Sequence, residues 1–330
     1  MQEGAQLRGR AADTADMALP RMVVPGGTYL VTRTTSDRRF LLKPGLVDDV
    51  FLYCAFRAAA QHGVLLHQLT VETNHYHLVC TDTRGELSEF VAWLNRHVAL
   101  CLLAHYRTQY PDRTIENIWS NDPFNATLLI NEEAILDAIV YSVTNPVKDG
   151  LVADLSKWPS VCTRTDAWSS GPITVQRPNV YFRQDDLENE RVTGQFVIPP
   201  QFAKVHAADF ARAVRHRIED ELRTIRRARE GIAFVGAKAL LRADPFDAPH
   251  NQRPSGKRNP TVKASGDSER YHLAKRAVRA FREAYRIALE KFRSGVAKAL
   301  FPSGTLMMRK RFKVRCSGDD FFWCCRAIAG

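Results

Sequence analysis

Two histidines two residues apart, His75 and His77, lie in the run Thr73-Asn74-His75-Tyr76-His77-Leu78-Val79, which reads as a β-strand. Successive side chains of a strand point to opposite faces, so both imidazoles project from one face and Tyr76 from the other. Two imidazoles side by side make half of a metal site. A histidine pair is nevertheless more often a surface pair or a hydrogen-bonded core pair, and His-x-His alone is a weak signal. Further along, Tyr141 and Asn145 are four residues apart in a run with helical spacing, which sets a phenol and an amide on one helix face. A phenol, an amide oxygen and two imidazoles suit a hydroxyl nucleophile beside a divalent cation on a phosphate. Taken singly, Tyr141 reads better as an amphipathic-helix residue, and Asn145 as a helix terminator before Pro146.

The elements that would position these residues follow from periodicity. Pro25-Gly26-Gly27 predicts a turn into a strand at Thr28–Thr32, and a helix is predicted from Val47 to His62, closed by Gly63. Two antiparallel strands between Val64 and Thr81, joined near Thr73-Asn74, would carry the histidines on the second. Glu86 to Tyr110 is amphipathic and predicts a long helix, Ala126–Ile130 a strand, and Asn131 the N-cap of a helix that stops before Pro146. The resulting order β-α-β-β-α-β-α defines an α+β sheet domain.

Composition is that of an ordinary globular chain: 330 residues, 45% hydrophobic and 25% charged. No stretch reads as apolar for long enough to cross a bilayer, and a cytoplasmic protein is expected. Seven cysteines without Cys-x-x-Cys spacing argue against a zinc ribbon or a disulfide framework, so reduced thiols are expected. Charge is uneven. Residues 161–330 hold 33 Lys and Arg against 18 Asp and Glu, so their +15 exceeds the +11 of the whole chain and residues 1–160 are net acidic. Such asymmetry points to a polyanion, with nucleic acid ahead of a membrane because no strongly apolar helical face accompanies the charge.

Three stretches together carry a resemblance: Pro25-Gly26-Gly27-Thr28-Tyr29-Leu30-Val31-Thr32, Asn74-His75-Tyr76-His77-Leu78, and Tyr141-Ser142-Val143-Thr144-Asn145-Pro146-Val147-Lys148-Asp149-Gly150-Leu151-Val152. In order and spacing they resemble the tyrosine-type HUH transposases, which move insertion sequences as single strands, the REP-associated tyrosine transposases being nearest. The resemblance covers residues 25–160 and implies a ferredoxin-like antiparallel sheet with helices. It implies Tyr141 as the nucleophile, and His75, His77 and Asn145 as ligands of a divalent metal, Mg²⁺ or Mn²⁺. It further implies a 5′-phosphotyrosine intermediate, single-stranded or hairpin DNA as the partner, and a homodimer in which the tyrosine helix can face the partner's histidines. A domesticated, catalytically inactive DNA-binding protein of the same fold is the alternative, and a metal-dependent hydrolase using water is a third reading. Two departures stand out. Where the family commonly has Met-Pro, Glu72-Thr73 precede Asn74, a change expected to bear on the turn more than the chemistry. The stretch that usually reads Trp-Gln-x-Arg-Phe is Trp119-Ser120-Asn121-Asp122-Pro123-Phe124, without its basic residue.

On either side of this domain, residues 1–24 read as a disordered leader and 161–330 as a basic, mostly helical accessory region. Strand-like runs are expected at Asn179–Phe182 and Gly194–Ile198. An arginine-rich helix from Ala208 to Arg229, with a short helix at Gly236–Arg242, is expected to form a helix-turn-helix-like unit, and a second basic helix to run from Ser268 to Leu300. Arg223, Arg226 and Arg227, with Arg309, Lys310 and Arg311 near the end, are the candidate DNA contacts. A charge run is more often a solvated helix face, but the imbalance between the halves exceeds what solvation requires.

Overall fold

Gly26 takes a φ of 80° and the Gly27 amide donates to the Val24 carbonyl, which turns the chain into its first strand. The computed structural model describes residues 20–183, 185–249, 260–296 and 298–317. Its first part runs β1 (Gly27–Thr34), α1 (Leu46–His62), β2 (Val64–Val71), β3 (His75–Asp82), α2 (Leu87–Gln109), β4 (Asn125–Leu129) and α3 (Glu132–Lys148). The strands pair antiparallel in the order β2-β3-β1-β4, giving a mixed α+β fold on a mainly antiparallel sheet. Local chemistry sets the ends. Gly63 closes α1 in the left-handed conformation, its amide donating to the Ala59 carbonyl. Asn131 caps α3 by accepting from the Ala134 amide, and Glu132 and Glu133 complement the helix dipole.

The sheet separates two layers. On one side, the Tyr76 ring packs edge-on against Phe51 of α1 and Trp119, and its hydroxyl donates to Asn95 of α2. α1 and α2 therefore cover the Tyr76 face, and α3 lies on the face that carries the histidines. Among the described residues α2 alone has the length and composition of a membrane span, contrary to the reading that no stretch does. Burial explains this: Leu87, Phe90, Val91, Leu94, Val98 and Leu102 pack into the core.

α3 does not stop before Pro146. The ring removes one helical donor, but Asp149 still donates to Asn145 and Leu151 to the Pro146 carbonyl, so the turn is completed. The restriction that proline imposes on Asn145 is offset by that residue's side-chain contacts, described below.

Residues beyond 160 line both edges of the sheet. The Val71 amide donates to Val161 and the Val197 amide to Leu66 along β2. At the far edge the two-residue strand β7 (Val262–Lys263) pairs parallel with β4. Before it come a hairpin of β5 (Ile173–Gln176) and β6 (Arg191–Gly194), then α4 (Ala207–Ala228) and α5 (Ala237–Arg242). After it come α6 (Ser268–Arg293), β8 (Leu300–Phe301), α7 (Leu306–Phe312) and β9 (Arg315–Cys316). α4 buries Phe210, Val214, Ile218, Leu222 and Ile225, the spacing of a single helix face. One cluster of buried hydrophobic residues includes members from both sides of position 160.

Several expectations change. Of the leader, residues 1–19 lie outside the described residues, and Met22, Val23 and Val24 are buried, held by Arg21 donating to the Phe124 carbonyl. The hairpin forms at β5 and β6; Tyr181, inside one expected strand, has a φ of 63° that a strand cannot hold. α5 has six residues, and the Val235 and Gly236 amides just before it donate to the Gly150 and Leu151 carbonyls of the loop after α3. α6 ends at Arg293, where Gly295 takes a φ of 85°, and Leu300 lies in a strand. Cys54, Cys80, Cys101, Cys162 and Cys316 are free thiols; Cys324 and Cys325 lie outside the described residues.

Candidate metal and nucleophile site

The turn from β2 to β3 is pinned from outside. The Leu42 amide donates to the Thr73 carbonyl and the Thr35 amide to Asn74. Asp37 and Arg38 both adopt left-handed backbone, which L-residues take at a cost, and the Arg38 carbonyl accepts from the Asn74 amide nitrogen at 3.2 Å. That bond fixes Asn74 with its Oδ1 toward His75 Nδ1, 2.8 Å away. An amide oxygen only accepts, so His75 carries its proton on Nδ1 and leaves Nε2 a bare lone pair. His77 is oriented by Thr32, directly opposite it on β1, whose hydroxyl Oγ1 lies 2.9 Å from His77 Nδ1. The two Nε2 atoms end 3.1 Å apart.

Glu72 completes the group. Its side chain is buried, with Oε2 3.9 Å from His75 Nε2, and the donor atoms of Glu72, His75 and His77 all lie within 4.8 Å of one another. From α3, Asn145 sends Nδ2 into the same space, 2.7 Å from Glu72 Oε1 and 3.2 Å from each histidine Nε2. Three acceptors thus converge on one donor. Burial pushes the Glu72 carboxyl up to about 8, with Asp149 adding to the rise and the Asn145 hydrogen bond opposing it. Burial lowers His75 to about 4 and His77 well below the ordinary histidine value, Lys148 and His75 adding to the latter. Both imidazoles are neutral at pH 7, as a ligand must be.

This donor set fits a divalent cation. Two neutral nitrogens and one carboxylate converge, and each imidazole is oriented through its other nitrogen, as metal-binding histidines generally are. Asn145 brings its nitrogen; to ligate, it must present Oδ1 instead, which an amide flip provides. Replacing Thr32 with valine is expected to weaken Mn²⁺ binding about 10- to 100-fold while leaving the fold intact, read by titration calorimetry, because His77 loses the partner that orients its ring.

Tyr141 lies beside this group. Its ring centroid is 5.2 Å from that of His77, the planes crossing at 72°, and Lys148 Nζ is 4.8 Å from the Tyr141 ring. Tyr141, Asn145 and Lys148 fall at i, i+4 and i+7 of α3, so one stripe carries the phenol, the amide and a cation. Tyr141 therefore stands by the histidines of its own chain.

Of the residues singled out in the sequence, the structure brings together His75, His77, Asn145 and Tyr141. It adds Glu72, which was expected to bear on the turn and whose carboxylate lies within 4.8 Å of both histidine nitrogens. A carboxylate three residues before a histidine in a short strand connection was the available signal. Lys148 and Thr32 were also missed. Two arginines from elsewhere meet the Trp119–Phe124 stretch: Arg33 donates to the Ser120 and Asp122 carbonyls and Arg21 stacks on the Phe124 ring. Arg223, Arg226 and Arg227 sit exposed on α4, Arg223 against Asp220 and Arg226 near Asp154. Arg309 and Arg311 are exposed on α7, apart from α4 in the chain; the Lys310 side chain lies outside the described residues.

No protein-family model matches the chain, and no curated protein matches it by sequence. Among solved structures, a REP-associated tyrosine transposase bound to a REP hairpin is 18% identical and matches 55% of this chain and 99% of its own at a TM-score of 0.38. A Deinococcus radiodurans protein assigned as a transposase is 22% identical over 38% of this chain and 95% of its own, with a TM-score of 0.27. The tRNA(His) guanylyltransferase of Saccharomyces cerevisiae is 10% identical over 39% of this chain and 62% of its own, with a TM-score of 0.29. Likeness at this level is partial and decides nothing about activity, which rests on the site itself.

Proposed function

We propose that the chain is a metal-dependent DNA strand transferase, a tyrosine-type HUH transposase or nicking enzyme, acting on single-stranded or hairpin DNA. The observation that carries this reading is the convergence of Glu72, His75, His77 and Asn145 within ring-contact distance of Tyr141. The β-α-β-β-α-β order with strand order β2-β3-β1-β4 is read as the ferredoxin-like arrangement that holds the two sides of the site in separate layers.

In this reading Tyr141 Oη attacks a phosphodiester phosphorus. The Oη–P bond forms as the P–O3′ bond breaks, the phenol proton passes to solvent, and the leaving oxygen takes a proton to become a 3′-hydroxyl. The strand stays on the protein as a 5′-phosphotyrosine, and attack by another 3′-hydroxyl reverses the reaction. Glu72, His75, His77 and Asn145 would hold Mg²⁺ or Mn²⁺, which when bound supplies charge stabilisation at the phosphate oxygens. Lys148 places a fixed positive charge beside the developing anion. The carboxylate, both imidazoles and Tyr141 are all present, which favours this reading over an inactive DNA-binding derivative of the same fold.

The test is direct. The full chain, incubated with Mn²⁺ and end-labelled hairpin oligonucleotides that carry single-stranded flanks, should yield a labelled band that survives denaturing electrophoresis. Failure to form it with any member of a randomised hairpin library sinks the strand-transfer reading.

The basic second half is read as the part that grips phosphates, the protein acting where DNA is and as a homodimer. Converting Arg223 and Arg227 to glutamine is expected to reduce the slope of log affinity against log salt by about 0.7 to 0.9 per arginine that contacts phosphate. Binding isotherms at several salt concentrations measure this, and an unchanged slope removes α4 from the interface.

A further inference from the structure

On the far side of the sheet from the metal cluster, α1, α2 and the chain around Tyr181 line an open cleft of about 540 Å³. Its floor is aromatic. The Trp93 and His97 rings of α2 stack with centroids 3.7 Å apart, and Phe182 lies parallel to His97, at 2° and 6.0 Å. Tyr181 stands at the mouth, 49% exposed, held by a left-handed backbone that a bulky residue adopts only under strain. Its ring meets those of Phe182 and His97 with centroids 5.6 and 6.4 Å apart, so it continues the aromatic surface. The Arg57 guanidinium lies 5.6 Å from the Trp93 ring centroid. Burial lowers His97, so it meets a ligand as a neutral ring.

The charges of the lining select among ligands. Arg57 and Arg183 are matched by Asp185 and Asp186, and Arg183 is already bonded to Asp185. A polyphosphate or an acidic peptide, with several negative charges, would gain little from a rim whose charges cancel, whereas a single phosphate can sit beside Arg57, which does not share the Arg183–Asp185 pair. A flat aromatic ligand with hydrogen-bonding edges gains from the stacked rings and from both signs of charge. We propose that this cleft binds one unpaired nucleotide of a DNA strand, its base stacked among Tyr181, Phe182, His97 and Trp93 and its phosphate beside Arg57. The proposal takes from the preceding reading only that the strand is DNA. It concerns a face of the protein that Tyr141 does not reach.

Two features separate this contact from binding by the basic half. Stacking tolerates any base, and it responds weakly to salt. The experiment uses the full chain and single-stranded thymidylate octamers, with affinity followed by anisotropy and contacts by ultraviolet cross-linking and peptide mapping. Tyr181→Ala and His97→Ala are each expected to weaken binding about tenfold with the salt slope unchanged, and cross-links should map to peptides holding Trp93 or Tyr181. Trp93→Ala should do the same. If it fails to fold, the two other variants carry the test, since Tyr181 is exposed and His97 is half-buried. Unchanged octamer affinity in both Tyr181→Ala and His97→Ala overturns the proposal. So do cross-links confined to α4 or α6. Free thymidine monophosphate binding as tightly as the octamer also overturns it, by making the ligand a free nucleotide. The covalent adduct at Tyr141 is scored in the same samples. Loss of the cleft proposal leaves that adduct in place, and absence of the adduct leaves Tyr181-dependent binding to be measured.

Discussion

Tyr141→Phe is expected to abolish the covalent protein–DNA adduct completely while leaving metal binding and stability unchanged. The substitution removes one oxygen, and phenylalanine offers no atom to esterify. The ring stays, with its edge-on contact to His77 and its position under Lys148, so the packing between α3 and β3 is kept. Its effect on stability should fall within about 0.5 kcal/mol, as for a change at a partly exposed site. Denaturing electrophoresis with labelled hairpin DNA, calorimetric titration with Mn²⁺ and thermal unfolding read the three quantities. Adduct formation by the Phe variant would assign the nucleophile elsewhere. Hydrolysis without any adduct, surviving in Tyr141→Phe but lost in His75→Ala, would instead identify a metal-dependent hydrolase.

Glu72→Gln should have the second largest effect, because Glu72 is the only anion among the converging donors. Mn²⁺ affinity is expected to fall about a hundredfold or more, since a neutral amide replaces the charged oxygen that hard cations prefer. The pH dependence sharpens the test. With its carboxyl raised to about 8, Glu72 holds a proton at pH 7 that cation binding must expel. Affinity in the unmodified protein should therefore rise about tenfold per pH unit well below 8 and level off near it, and the glutamine variant should lose this slope.

Stability without metal follows from the same groups. Between the unfolded glutamate value of 4.5 and about 8, the folded chain holds a proton the unfolded chain has released, so stability falls as pH rises. The histidines act oppositely: between about 4 and 6.5 the unfolded chain holds protons the folded one lacks, so stability falls as pH falls. The effects oppose one another below 6.5; above it the histidine contribution, common to both proteins, fades within about one pH unit and that of Glu72 remains. From pH 6.5 to 8 the metal-free protein should lose about 2 kcal/mol that Glu72→Gln does not lose. Chemical denaturation in metal-free buffers at these two pH values, for both proteins, measures the difference.

The elements of residues 27–148 were legible because their signals are local. Alternation marks β1 and β3, helical spacing marks α1 and α2, and Asn131 with two acidic residues marks the start of α3. The histidine pair, Tyr141 and Asn145 could be named because period and spacing fix which residues share a face. Glu72 could not be placed in this way. Its role depends on how the turn after β2 folds back, and that depends on Thr35, Leu42 and Arg38, which bond to it from distant points in the chain. Pro146 misled for a related reason: local preference ends the helix, while three contacts from Asn145 to another element hold it in place. Beyond 160 the sequence showed helices but not their destinations. The apolar stripe of α4 is visible in the chain, whereas its docking against α3, with Arg217 bonded to Glu133, depends on a partner surface made elsewhere.

The pairing of Val262–Lys263 with β4 bears on how the chain is made. Synthesis delivers the β4 edge more than 130 residues before the two-residue strand that covers it, and the loop between them must close before the parallel pair can form. During that interval a nascent chain presents the open row of backbone groups from Leu128 to Ile130, a template for pairing with any other extended strand. A chain interrupted before residue 262 keeps that row open permanently, so premature termination in the second half should give aggregates and not a smaller folded protein.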